Sequence, residues 1–206
     1  MEFSEWEPLY LQILADFGFD RSADEESARI LSDLLRGKRG TLQDLHDIIS
    51  GRDIAVCGNA PSFAAEIESI RQDQVVIAAD GATTVLIAHQ MIPDVIITDL
   101  DGIIDDIISA NKKGSFVVVH AHGDNIPAVR SVVPLLDRMI GTTQSKPLDN
   151  IHNFGGFTDG DRCVFLARAF HAGSVTLFGF DYDDPDVSDV KQKKLTWAKR
   201  LIEEYS

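Results

Sequence analysis

The chain has 206 residues, of which 44% are apolar and 25% charged, and its formal net charge is −14. Those values describe a globular chain long enough to bury a full core, and they exclude extended disorder. The acid excess argues against nucleic-acid binding, which needs clustered Lys and Arg, and suits cation binding or solubility.

Residues 1 to 50 carry helical signals and no strand pattern. Leu9, Ile13, Leu14 and Phe17 share one helical face. Ser22-Ala-Asp-Glu25 has the form of a capping box, followed by a stripe of Ile30, Leu31, Leu34 and Leu35 that Gly37 ends. Thr41-Leu-Gln-Asp44 opens a third helix, with Leu42, Leu45, Ile48 and Ile49 on one side and Gly51 as its stop. These signals predict a helical subdomain over 1–51 beside an α/β domain over 52–206. An exposed helical subdomain would suit a homodimer.

From Asp53 the pattern alternates. Short apolar runs at 54–57, 75–79, 95–98, 116–120 and 174–180 predict strands, with a further strand expected at 151–154 and a loop at 141–144. Helical stripes fall at 63–70, 82–90, 103–108, 127–138, 161–171 and 187–205. Strand–helix alternation predicts an α/β fold with a mostly parallel sheet flanked by helices on both faces. Cys57 and Cys163 are too few for a disulfide framework or a zinc site. The opening Met-Glu-Phe-Ser-Glu-Trp-Glu lacks the features of a signal peptide, and no apolar run reaches the roughly 18 residues of a membrane span. A cytoplasmic protein with no membrane or nucleic-acid partner is expected.

The stretch 79–102 carries the chemistry. Asp80 follows one predicted strand, and Asp99 and Asp101 follow the next. Parallel strands place their carboxyl ends on one edge, where open α/β sheets bind ligands. Three acids at one rim would repel each other, and a hard divalent cation such as Mg²⁺ removes that cost. The alternative reading makes each Asp a helix cap.

Gly58, Asn59, Pro61 and Ser62 form a turn whose N–H groups suit phosphate, or an ordinary strand-to-helix turn. After the fourth strand, His120 and His122 fall on the same side by alternation. With Asp124 they have the donors for a transition metal; beside a hard cation, they and Asn125 fit phosphate oxygens or a heterocycle better. Phe157 suits ring stacking and Arg162 a phosphate, while Thr158 and Asp159 read as substrate contacts or helix caps. Lys191 and Lys194 on the closing helix suggest a phosphate-facing patch, a solvated face being the other explanation.

Taken together, the motifs resemble known enzymes. Asp80-Gly-Ala82 followed by Pro93-Asp94 and Asp99-x-Asp101 is similar to the catalytic motifs of thiamin pyrophosphokinases, with Thr98 where those have Gly and Gly102 where they have Ser. Gly58-x-x-Pro61-Ser62, Thr98-Asp-Leu-Asp-Gly102, His120-Ala-His-Gly-Asp-Asn125, Phe154-Gly-Gly-Phe-Thr-Asp-Gly-Asp161 and Gly179-Phe-Asp181 more closely resemble the archaeal 6-hydroxymethyl-7,8-dihydropterin diphosphokinases of the MptE type. That resemblance implies a catalytic domain like that of thiamin pyrophosphokinases. It implies ATP- and Mg²⁺-dependent diphosphate transfer to a reduced pterin, with release of AMP, in tetrahydromethanopterin or folate synthesis. Asp80, Asp99 and Asp101 would then hold Mg²⁺, with Asp124 as a further acid or base. Gly58 to Ser62 and the basic closing helix would cradle phosphates, and His122, Asn125, Phe157 and Asp159 would face pterin or adenine. Thiamin as acceptor, and a metal-dependent glycosyltransferase using Asp99-Leu-Asp101, are the alternatives.

Overall fold

The β-branched runs become strands in the computed structural model, which describes residues 1–205. They are β1 (Asp53–Cys57), β2 (Val75–Ala79), β3 (Val95–Thr98), β4 (Phe116–Ala121), β5 (Met139–Thr143), β6 (Ile151–His152) and β7 (Ser174–Phe178). They form one sheet in the order β6-β5-β4-β3-β2-β1-β7, every adjacent pair parallel. The helices are α1 (Phe3–Phe17), α2 (Arg21–Leu34), α3 (Leu42–Ile49), α4 (Phe63–Glu66), α5 (Ala82–Ala88), α6 (Ile104–Lys112), α7 (Ile126–Val132), α8 (Asp159–Ala169) and α9 (Asp189–Tyr205). The expected parallel sheet with helices on both faces is what forms.

Alternation divides each strand between two cores. Ile54, Val56, Ile77, Ile97, Phe116 and Val118 face α3 and α8. Ala55, Cys57 and Ala78 face α4 and α5, while Ile96, Val117 and Val119 face α2, α6 and α7. With both faces covered, the strands read as unbroken apolar runs. Helix α8 is buried on two sides. Cys163, Val164 and Leu166 meet the sheet, and Phe165 meets Trp6, Tyr10 and Trp197 from α1 and α9. Each large side chain buried this way contributes roughly 1.5–3 kcal/mol, which anchors the helix that starts at Asp159.

Several local expectations need correction. Residues 141–143, expected in a loop, lie in β5. A Cβ at Gly141 would collide with Ile151, Leu31 and Leu35, so glycine is there for close packing of α2 on the strand. The strand expected over 151–154 shrinks to two residues, and the helix expected over 63–70 is one α-turn followed by a 3₁₀ turn at Ile67–Ser69. Asp20 caps α2, accepting the Ser22 N–H at 2.8 Å, in place of the expected Ser22. The Thr41–Asp44 box forms as expected. Ala28 and Leu31 of α2 and Leu45 and Ile49 of α3 are fully part of the cores that flank the sheet. Among the described residues, no helix is long and apolar enough to cross a membrane.

Candidate active site

The carboxyl ends of the central strands open into a pocket of about 810 Å³. Two residues in left-handed backbone follow the strands whose tips carry its acids: Asp80 just after β2 (φ 26°) and Leu100 just after β3 (φ 69°). Such conformations in residues other than glycine are strained by roughly 1–3 kcal/mol and persist only where neighbours hold them. Here the Asp80 N–H donates to the Ile97 carbonyl at 2.8 Å, and the Leu100 N–H donates to Thr98 Oγ1 at 2.7 Å. The Thr98 hydroxyl in turn donates to Asp80 Oδ1. Thr98 thus ties the two strand tips together. Gly102 leaves room for the same carboxylate, since a Cβ there would overlap Asp80 Oδ2.

Single oxygens of Asp80, Asp99 and Asp159 all lie within 4.8 Å of one another. Asp159 reaches the group because α8 starts against the strand tips. Its Oδ1 accepts from Arg162 Nη1 at 3.0 Å, and Arg162 Nη2 donates to Gln144 Oε1 at 3.3 Å. Asp99 Oδ2 meets His122 Nε2 at 3.2 Å. Nδ1 of His122 accepts the Asp124 N–H at 3.4 Å, so the ring carries its proton on Nε2 and donates it to Asp99. Asp99 Oδ1 is buried and has no partner.

The electrostatics describe a hole for a cation. Burial first, then the neighbouring Asp159 charge, pushes the Asp80 carboxyl up to about 8. Burial and then Asp99 push Asp159 up to about 7. Burial also opposes ionisation of Asp99, but the hydrogen bond from His122 and the charge of Arg162 outweigh it and hold that carboxyl at about 2. Asp80, buried, and Asp99 and Asp159, partly buried, face one guanidinium and are under-neutralised, and their all-oxygen donor set fits a hard divalent cation.

Residues 28–187 match a family model described as 6-hydroxymethylpterin diphosphokinase MptE-like. The chain belongs to this family. A protein of Methanothermobacter thermautotrophicus is 48% identical over 98% of this chain and 94% of its own length. One of Methanocaldococcus jannaschii is 40% identical over 98% and 95%, and one of Pyrococcus furiosus 38% over 98% and 94%. All three are named 6-hydroxymethyl-7,8-dihydropterin pyrophosphokinase. Among solved structures, the MAf glycosyltransferase of Magnetospirillum magneticum AMB-1 aligns with a TM-score of 0.44 at 18% identity, covering 77% of this chain and 29% of that one.

In this MptE-like chain, most residues singled out from sequence line this pocket. Asp80, Asp99, Asp101, His122, Asp124, Phe157, Thr158, Asp159 and Arg162 do so, as do Gly58, Asn59, Pro61, Lys191 and Lys194. Asp101 is at the exposed rim, beside the compact acid group and outside it. Asp159, expected as a substrate contact, lies within that group. Thr158 caps α8 in a box with Asp161, whose Oδ1 accepts the N–H groups of Phe157 at 2.7 Å and Thr158 at 2.9 Å.

Ser62, His120 and Asn125 are not in the pocket wall. Asn125 is buried behind it. Its Nδ2 donates to the carbonyls of Asp99 at 2.8 Å and His120 at 2.7 Å, and its Oδ1 accepts from His122 N and Ser27 Oγ, both at 3.1 Å. With its amide fully engaged, Asn125 braces the two strand tips that carry Asp99 and His122.

The N-terminal helices contribute more to the wall than their sequence suggested. Gly18 to Asp20, Ala23 and Asp24 line the pocket. Asp24 is buried, with Tyr10 Oη donating to its Oδ2 at 2.7 Å. A usable signal existed: Asp24, Ala28 and Leu31 are spaced i, i+4, i+7, which puts a carboxylate on the buried stripe of α2.

Proposed function

We propose that the protein transfers diphosphate from ATP to the hydroxymethyl group of 6-hydroxymethyl-7,8-dihydropterin, with Mg²⁺ and with release of AMP, as a step toward a reduced pterin cofactor. The observation that supports this reading most directly is the compact Asp80–Asp99–Asp159 group inside a pocket large enough for both substrates.

The residues present fit Mg²⁺. Asp99 Oδ1 is buried without a partner, and the three carboxylates offer only oxygen. Asp80, Asp99 and Asp159 would hold the ion, with Asp101 adding charge on the solvent side. Bound there, Mg²⁺ supplies charge neutralisation for the polyphosphate.

The remaining roles belong to the chain. Transfer to a neutral hydroxyl needs alignment and charge compensation more than a strong nucleophile. Lys191 and Lys194 on one wall, with the Gly58–Pro61 turn between β1 and α4, receive the phosphates. Arg162 is already committed to Asp159 and Gln144, so it orients the acid group and compensates its charge. His122 holds Asp99 ionised and leaves Asp124 exposed at the rim, placed to accept the hydroxyl proton. Phe157, buried against Phe17 at 5.1 Å between ring centroids, offers a rigid apolar edge for a flat heterocycle.

The test is a turnover assay with purified protein, ATP, Mg²⁺ and 6-hydroxymethyl-7,8-dihydropterin, products identified by mass. AMP and the pterin diphosphate are expected. ADP as the nucleotide product would refute diphosphate transfer, and turnover with thiamin alone would refute the pterin as acceptor.

A further inference from the structure

A second cavity, of about 10 Å³, lies between β3, β4, β5 and α8, walled by Ile97, Val118, Phe154 and Leu166. Four polar residues also line it: His120, Thr142, Thr143 and Arg162. His120 is 2% exposed and Arg162 7% exposed. His120 Nε2 and Arg162 Nε are both buried with no hydrogen-bond partner. Buried polar atoms are seldom left so, and this void has about the volume that one water requires.

The hydrogen-bond roles match a water. Thr142 Oγ1 donates to the Val119 carbonyl at 3.3 Å, which leaves its lone pair to accept from His120 Nδ1 at 3.1 Å. The His120 proton is therefore on Nδ1, and Nε2 presents a lone pair. Arg162 Nε–H is only a donor. A water that accepts from Arg162 and donates to His120 satisfies both atoms. Burial keeps His120 neutral, which preserves that acceptor.

We infer that a single buried water links His120 Nε2 to Arg162 Nε, and that through this link His120 is a positioning residue for Asp159. With the water in place, every edge of the guanidinium is held: Nη1 by Asp159, Nη2 by Gln144 and Nε by the water. The guanidinium cannot then rotate away from the carboxylate it orients. The positioning role rests on the metal reading above; the water does not.

Three measurements test it. A high-resolution crystal structure of the wild-type protein is expected to show density in this cavity within hydrogen-bond distance of both nitrogens. An empty cavity, or a His120 ring protonated on Nε2 by ¹⁵N NMR, would overturn the water. Mn²⁺ titration of the metal-free protein, followed by electron paramagnetic resonance, tests the positioning. His120→Gln keeps an acceptor near the Nε2 position and is expected to bind Mn²⁺ within about two-fold of wild type, while His120→Leu binds it roughly ten-fold more weakly. Wild-type affinity in His120→Leu would refute the positioning role. None of these measurements uses pterin or ATP, so the outcome is independent of whether diphosphate is transferred.

Discussion

The carboxylate of Asp24 on α2 accepts the backbone N–H of Gly123 at 2.8 Å, joining residues 99 positions apart. Its other oxygen accepts from Tyr10 Oη at 2.7 Å and Gln144 Nε2 at 2.8 Å. Burial, then the bond to Asp24, raises the Tyr10 pKa, so the phenol stays a donor. Gly123 lies between His122, which donates to Asp99, and Asp124. One buried acid thus couples the N-terminal helices to the loop beside the acid group.

Asp24→Ala leaves three donors, two of them buried, without an acceptor. A stability loss of roughly 2–4 kcal/mol is expected from urea unfolding, with faster hydrogen exchange at the Gly123 amide. Unchanged exchange at Gly123 would show that the loop is held by other means.

The metal-free protein should lose stability as pH rises. Asp80 and Asp159, pushed up to about 8 and about 7 from an ordinary 3.8, keep protons in the folded state that the unfolded chain releases. Their contribution is fully present below the unfolded value and is lost as pH climbs through the folded ones. Asp99, held at about 2, acts in the opposite sense only below its ordinary 3.8, whereas His120 and His152, lowered by burial, act in the opposite sense up to their ordinary 6.5. Melting temperatures in chelator should therefore fall most clearly between about pH 6.5 and about pH 8, where the histidines no longer oppose the carboxylates, and Asp80→Asn should flatten that slope. A wild-type profile rising across this window would contradict the coupling.

Asp159→Asn should reduce kcat/KM as severely as Asp99→Asn, by about a hundred-fold or more, because both remove an oxygen from the same compact group. Asp101→Asn, at the exposed rim, should cost less. Steady-state kinetics at saturating Mg²⁺ decide the order, and a greater loss in Asp101→Asn would move the metal site toward the rim.

Gly102→Ala places a methyl against Asp80 Oδ2. The carboxylate must shift, and Mn²⁺ affinity should drop about ten-fold or more while the melting temperature changes little, since displacements near 1 Å are enough to cost that much. Full retention of affinity would mean that Asp80 has slack the structure does not suggest.

What the residues alone determined was the layered α/β architecture and the rim on which the site is built. Both faces of the sheet are covered, so each central strand is written as a local apolar run, and Asp80, Asp99 and Asp101 are legible from their position directly after those runs. Strand β5 escaped because Met-Ile-Gly-Thr-Thr carries a glycine required by packing against α2 and two polar residues, none of which reads as a strand in isolation. Tertiary structure alone decided which acids meet. Asp159 is 60 residues from Asp99 and joins it only because α8 is packed between the sheet and α1. Asp24 reaches the His122 loop only because α2 lies across β4 and β5. Local patterns encode burial and direction, whereas convergence of charge from separate elements depends on how those elements pack, which no single stretch of chain contains.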